Sequence, residues 1–357
     1  MPKVAIIYLA YKTEEYIRDV VNAIENLNYP REDLALVLVP NGSPDGVLQI
    51  MQDEIIPRSG VDLPEIKLFN DGVNRGFAGG NNHGMQWAID QGFDYVLLNN
   101  GDLTLTPDAI TNLVKHLEED KTIASAQPLV VYWKDHEMVN VSGGMFHIAG
   151  YGYARDNRKQ VSEIGRPDGD DVLYASCAAG FFRIEALKEV GLLEEGFFMY
   201  HEDLELGLRL RMAGHRNILC TESLAYHDYS FSRNPKKFAW IELYRYVVVF
   251  AYYRPLTLLL IVPLLVCIEI GTWGMAAMGK WLPSKLWANT EALKPRTWKL
   301  LFSMRKRAQK LRKVKDADLL KFVNGSIEDQ EVMSSILVVA NKVIEAWLKI
   351  IRRIVIW

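Results

Sequence analysis

Val4-Ala5-Ile6-Ile7-Tyr8-Leu9 and Leu34-Ala35-Leu36-Val37-Leu38-Val39 decide the fold of this chain. Each is a continuous apolar run of strand length, which suits a strand buried on both faces. Between them Ile17, Val20, Val21, Ile24 and Leu27 recur at helical spacing within residues 14–27. The second run ends in the turn-rich Pro40-Asn41-Gly42-Ser43-Pro44-Asp45-Gly46. A helix, a short strand at 66–69, a helix after Gly80 and a strand at 95–98 continue the alternation. The pattern predicts an α/β fold on a mostly parallel sheet, with ligands at the carboxyl ends of its strands.

After Gln127 the pattern changes. Residues 128–175 are rich in Gly, Asp and aromatics and hold no long helical pattern, which predicts a β-excursion and loops. Helical spacing returns over 183–190 and 203–212, with Gly214 placed to end the second helix. The chain has 357 residues, enough for one large domain with an appendage or for two domains. A formal net charge of −3 removes any global argument for nucleic-acid binding. Cys177, Cys220 and Cys267 show neither metal spacing nor an even disulfide framework, which points to a reducing compartment. The N-terminus runs straight into a strand without signal-peptide character, so the catalytic part is expected in the cytoplasm.

From Phe238 the composition shifts. Residues 240–253 are aromatic and apolar, and 255–268 are almost wholly apolar before Glu269. A spanning helix needs roughly 20 apolar residues, and continuing to Met278 would leave Glu269 near its middle at about 2.5–3.5 kcal/mol. The reading preferred is a helix lying in one leaflet; a buried core hairpin is the alternative. Between Lys280 and Lys315 the sole acidic residue is Glu291 against twelve Lys and Arg, a composition suited to anionic lipid head groups. The tail, 331–357, is amphipathic. Ile336, Val339, Ala340, Val343, Trp347, Ile350, Ile351 and Ile354 oppose Lys342, Glu345, Lys349 and Arg352, and the helix could meet a bilayer, the domain or a second chain. The expected division is a catalytic domain over 1–235, an apolar and basic helical region over 236–315 and an amphipathic tail over 316–357.

Three constellations carry chemistry. Asn99-Asn100-Gly101-Asp102 follows a strand, where a carboxylate can hold Mg2+ or Mn2+ on a diphosphate; the same residues also suit a plain turn. Asn74-Arg75-Gly76-Phe77-Ala78-Gly79-Gly80-Asn81-Asn82 places glycines before a helix, where backbone N–H groups can approach an anion. It is neither a Walker A loop nor a dinucleotide fingerprint. Phe198-Met199-Tyr200-His201-Glu202-Asp203-Leu204-Glu205-Leu206-Gly207-Leu208-Arg209 sets carboxylates at a helix start beneath aromatics. A carboxylate there can take a proton from a bound hydroxyl, or serve the helix dipole alone. Glu205 and Arg209 have the spacing of a surface i, i+4 pair. His227 is a metal-ligand candidate or a structural histidine.

In order and spacing these segments, with Ile6 to Lys12, Pro40 to Gly46 and Pro107-Asp108-Ala109, resemble the family 2 glycosyltransferases over residues 3–230. The resemblance implies a GT-A, Rossmann-like catalytic domain that inverts the anomeric centre of a nucleotide-diphosphate sugar, with Mn2+ or Mg2+ as cofactor. It places Ala10 and Tyr11 against the nucleotide base with Asn41 nearby. Asn74, Gly76 and Gly79 fall in its donor-binding segment, Asp102 holds the metal, and Asp203 is the general base with Glu202 beside it. His227 matches a histidine that completes the metal shell in some members. Pro40 stands where the family often has an aspartate, and Asn100 replaces the first acid of D-x-D. The C-terminal part is similar to rhamnosyl- and galactofuranosyl-type transferases that build polysaccharide on polyprenyl diphosphate carriers. The expectation is therefore a membrane-associated enzyme at the cytoplasmic face, extending a lipid-linked or oligosaccharide acceptor, with the C-terminal helices open to homo-oligomer formation. A polyprenyl-phosphate sugar synthase and an inactive membrane scaffold are the alternatives.

Overall fold

The computed structural model describes residues 1–229, 237–279, 281–327 and 335–357. The boundary expected at 235/236, Lys280, the tail's start at Glu331 and the side chain of Ile336 lie outside the described residues.

The apolar runs form β1 (Val4–Leu9) and β2 (Leu34–Val39) about α1 (Ile17–Glu25), and every residue of both strands is buried. The alternation continues with α2 (Val47–Ile50), β3 (Glu65–Leu68), α3 (Gly76–Asp90), β4 (Tyr95–Asn100), β5 (Leu103–Leu105) and α4 (Ala109–Glu119). The helix expected after Gly80 thus begins at Gly76, so most of the glycine-rich segment is helix and not a loop before one. β1 pairs in parallel with β2 and β4, and β2 with β3. The strand order reverses at β1, which opens a crevice beyond its carboxyl end.

The region after Gln127 is the expected β-excursion with loops, but its first strand begins before Gln127. β6 (Ile123–Tyr132) runs through Gln127 and Pro128 as a buried strand, parallel to the later β12 (Arg216–His227). Pro128 faces Cys220, where the register shifts, and a bulge tolerates a residue without an N–H. Then come β7 (Asp135–Val141), β8 (Gly144–His147), β9 (Gly152–Ala154) and β10 (Asp170–Asp171). The short β11 (Phe181–Arg183) fits antiparallel between β4 and β6 and joins the two parallel halves of the sheet. α5 (Ile184–Val190) and α6 (Glu202–Met212) follow, and Gly214, at φ +85°, ends the latter's turn.

α7 (Lys237–Tyr252), α8 (Pro255–Met278), α9 (Leu282–Ala292), α10 (Pro295–Leu311), α11 (Asp316–Leu320), β13 (Val323–Asn324) and α12 (Ser335–Ile354) complete the chain. β13 adds to β8 and β9 in a second, three-stranded sheet. α6 lies between two cores: Leu206 and Leu210 pack with the sheet, and Leu204, Leu208 and Met212 with the C-terminal helices. A helix apolar on several sides is buried all round. That corrects the expected surface pair, because Glu205 and Arg209 are both fully buried and bonded at 2.7 Å. α8 is long and apolar enough to cross a membrane, but Glu269 in its second half bonds inward to Arg245 at 2.6 Å and Lys285 at 2.8 Å.

Candidate active site

The register sets Leu9 beside both Val39 and Asn100, so β1, β2 and β4 end at one level. Ala10 is buried, donating its N–H to Val39 O at 2.9 Å, and Tyr11 beyond it is 42% exposed, free to meet a flat ligand. Asn41, at φ +48°, turns back: its Oδ1 accepts the Arg75 N–H at 3.0 Å and its Nδ2 donates to Gly76 O at 3.2 Å. Asn74 Oδ1 accepts the Gly76 N–H at 2.9 Å, and the Phe77 N–H goes to Phe198 O at 3.0 Å. Three of the four N–H groups that a helix start leaves over are therefore already used. In place of an open N–H cradle, this segment ties the end of β2 to the acid-bearing loop. Gly76 must be glycine there, with φ +70° and an added Cβ 2.5 Å from Phe198 O. Gly79 lies buried in the first turn of α3.

At the end of β4, Asn100-Gly101-Asp102 turns into β5, which pairs with β12 so that Leu103 faces His227. The pairing delivers His227 Nε2 to 3.2 Å from Asp102 Oδ1. The other ring nitrogen, Nδ1, lies 3.0 Å from Asn140 Oδ1, which can accept a hydrogen from Nδ1 and so would leave the Nε2 lone pair for a cation held with Asp102. Asn140 comes from β7, and no local pattern marks it. Asn99 Nδ2 donates to Asn100 O at 2.8 Å and Leu103 O at 2.9 Å, which sets the turn, while Gly101 passes so close to Thr13 that a Cβ would lie 2.6 Å from it. One carboxylate and one imidazole thus converge from strands far apart in sequence. Such a donor set fits a divalent cation, and its nitrogen suits a transition ion better than Mg2+.

The acid pair starts α6. Tyr200 and His201 before it are left-handed, at φ +66° and +71°, which costs about 1–3 kcal/mol each and persists because the surrounding contacts offset it. His201 is held: its Nε2 lies 2.9 Å from Gly150 O, and burial lowers its pKa to about 4, so it is neutral at pH 7. Asp203 Oδ1 accepts the Leu204 N–H at 2.7 Å, and the Cys177 N–H also reaches this carboxylate. Burial raises Asp203 to about 6 against those N–H groups. Burial, then the Asp203 charge, pushes Glu202 well above the usual carboxylate range, and its Oε2 has no hydrogen-bond partner among the described residues. Two adjacent carboxyls are thereby divided into one that stays protonated and one that ionises near neutral pH.

The two halves of the site are bonded to each other. The Asn100 N–H donates to Ala178 O at 3.0 Å, one residue beyond the Cys177 N–H that binds Asp203. Of the aromatics ahead of the acids, Phe197 is core, while Phe198 is 39% exposed and meets Trp240 in a tilted ring contact at 5.6 Å. Away from this crevice, Cys220, His116 and Asp168 come within 4.8 Å of one another, a grouping across α4, a loop and β12 that sequence spacing does not show. Asp168 already accepts the N–H groups of Thr221 and Glu222 and lies 2.5 Å from His116, as in a structural ion pair.

Comparison with known proteins bears on this geometry. The family model "Glycosyl transferase family 2" matches residues 5–191. A Mycobacterium tuberculosis protein named N-acetylglucosaminyl-diphospho-decaprenol L-rhamnosyltransferase is 27% identical over 226 residues, spanning 57% of this chain and 69% of its own. Among solved structures, GalNAc-T7 with UDP, GalNAc and Mn2+ superposes with a TM-score of 0.55 at 14% identity, over 71% of this chain and 49% of that one. The mannosyltransferase PcManGT from Pyrobaculum calidifontis, in complex with GDP-Man and Mn2+, gives 0.51 at 17% identity over 87% and 86%. At these identities the two superpositions bear on the fold.

Proposed function

Because this chain belongs to glycosyl transferase family 2 and carries its GT-A-like α/β fold, we propose that it moves a sugar from a nucleotide diphosphate to a hydroxyl of a polyprenyl-diphosphate-linked glycan. The observation that carries this reading is the pair Glu202 and Asp203, split in proton affinity and bonded through Cys177 and Ala178 to the strand end that leads to Asp102. Asp102 and His227 would hold Mn2+ on the donor's diphosphate, and the ion would neutralise charge on the leaving group. Tyr11 offers its ring to the base, and Asn41, Asn74, Gly76 and Gly79 set the wall beside it.

Asp203 takes the proton of the acceptor hydroxyl as that oxygen attacks the anomeric carbon. The bond between that carbon and the diphosphate oxygen breaks, the electron pair leaves with the diphosphate, and the centre inverts. Glu202, protonated, can donate a hydrogen bond to the acceptor and adds no second charge beside the base. The same pair disfavours a phosphate acceptor, which is already ionised and would meet the Asp203 carboxylate. The lipid-diphosphate acceptor follows the activity named for the mycobacterial relative.

Nucleotide sugars should raise the melting temperature of the full chain in the presence of Mn2+ and less so with Mg2+. Asp102→Asn should remove the Mn2+-dependent part of that shift. A donor that stabilises both proteins equally with and without metal would sink the metal assignment. The base should also show in pH. Its working form is the carboxylate, so with Asp203 at about 6, kcat/KM should hold above that value and fall about tenfold per pH unit below it. A flat profile down to pH 5 would exclude Asp203 as the base.

A further inference from the structure

One apolar surface has no part in this chemistry. On α8, Leu256, Leu259, Val266 and Ile270 recur at helical spacing and are exposed. No charge interrupts them, since Glu269, the one charged residue of α8, turns inward to Arg245 and Lys285. α12 packs beside α8: Trp347 Nε1 donates to Leu260 O at 3.3 Å, and Trp357 Nε1 to Thr257 Oγ1 at 2.9 Å. Ile344, Leu348, Ile351 and Val355 bury one side of the C-terminal segment. The next row around the helix, Val343, Trp347, Ile350 and Ile354, is exposed, and the row beyond it is Lys342, Lys349 and Arg353. The single carboxylate of 339–357, Glu345, accepts the Gly325 N–H at 2.8 Å and pairs with Arg352. The expected single apolar face of this tail is thus two faces, one docked and one open.

We propose that the open face of α8 and α12 seats the protein on an anionic lipid bilayer, both helices lying in the plane of the interface. Crossing the bilayer would pull Glu269 from its cations and leave the buried Arg245 and Lys285 to share Glu242 alone, one counter-charge short. Among the described residues the apolar stripe is bordered by cations, which matches lipid tails beside acidic head groups. A second copy of this chain fits less well, because a two-fold contact would bring the rows of Lys342, Lys349 and Arg353 toward each other. The surface stands apart from the acceptor assignment, and its test does not require turnover.

Cys267 makes the test possible without substitution. It is exposed on α8 next to Val266, whereas Cys177 and Cys220 are buried. A water-soluble maleimide should label Cys267 in the free full-length protein. Phosphatidylglycerol vesicles in excess should slow that labelling about tenfold or more, since the unbound fraction alone reacts, and phosphatidylcholine vesicles much less. Val343→Glu with Ile350→Glu, at positions 63% and 51% exposed, should end co-sedimentation with phosphatidylglycerol while leaving the melting temperature and donor binding in place. Undiminished labelling of vesicle-bound protein would overturn the proposal. So would a lipid-free dimer that shields Cys267 and that the double variant dissolves.

Discussion

Asp203→Asn should lower kcat by about 10²–10⁴-fold, the usual contribution of a positioned general base, while donor affinity and melting temperature stay near those of the parent. The amide matches the carboxylate in size and still accepts the N–H groups of Leu204 and Cys177 with its oxygen. It cannot take a proton from a hydroxyl. Glu202→Gln is the informative control. Burial and the neighbouring charge already keep Glu202 protonated, so an amide replaces a neutral carboxyl and turnover should change far less. The two roles would be reversed if Glu202→Gln were the inactive variant and Asp203→Asn the mild one. Transfer to water, measured as donor hydrolysis without acceptor, separates loss of the base from loss of donor activation. It should fall with Asp102→Asn and change far less with Asp203→Asn.

The parallel half of the sheet was legible because β1 and β2 are buried on both faces, and six apolar residues in a row state that burial directly. α3 was misplaced by several residues for a physical reason. Its glycines read as loop, yet they are demanded by close contact: at Gly80 a Cβ would lie 2.5 Å from Leu9, and at Gly84 one would lie 2.8 Å from Ile7. β11 was invisible, since Phe181-Phe182-Arg183 is too short to show a period and is a strand only because β4 and β6 lie on either side. Within the site, local chemistry singles out Asp102, Asp203 and His227 as candidates, and the fold brings Asp102 and His227 within 3.2 Å of each other. Asn140 is not singled out, because it meets His227 through the pairing of distant strands. The surface reading of Glu205 and Arg209 failed for the same kind of reason: helical spacing names the partner, but burial depends on what packs against α6.

Glu205→Ala should destabilise the protein by about 3–5 kcal/mol, because it leaves the buried Arg209 without its counter-charge, while Arg307 keeps Glu194. Glu205 is fully buried. It bonds Arg209 at 2.7 Å and Arg307 of α10 at 3.0 Å, and accepts the Tyr252 O–H of α7 at 2.6 Å. Arg209 would keep the carbonyls of Val190, Gly191 and Leu192 but lose its only anion among the described residues. At roughly 2 cal/mol/K per residue the loss corresponds to about 4–7 °C in the melting temperature if the chain unfolds as one unit. Glu205→Leu combined with Arg209→Met should recover much of it, since removing both charges also removes the cost of burying them. A loss below about 0.5 kcal/mol for Glu205→Ala would mean that water reaches the pair, as at an ordinary surface site. The consequence for catalysis follows from position. Asp203 stands two residues before Glu205 on the same helix, and the bonds to Tyr252 and Arg307 fasten that helix to α7 and α10. Relaxed packing there should lower kcat of the folded fraction while leaving the pH midpoint set by Asp203 unchanged, whereas a direct role of Glu205 in proton transfer would move that midpoint.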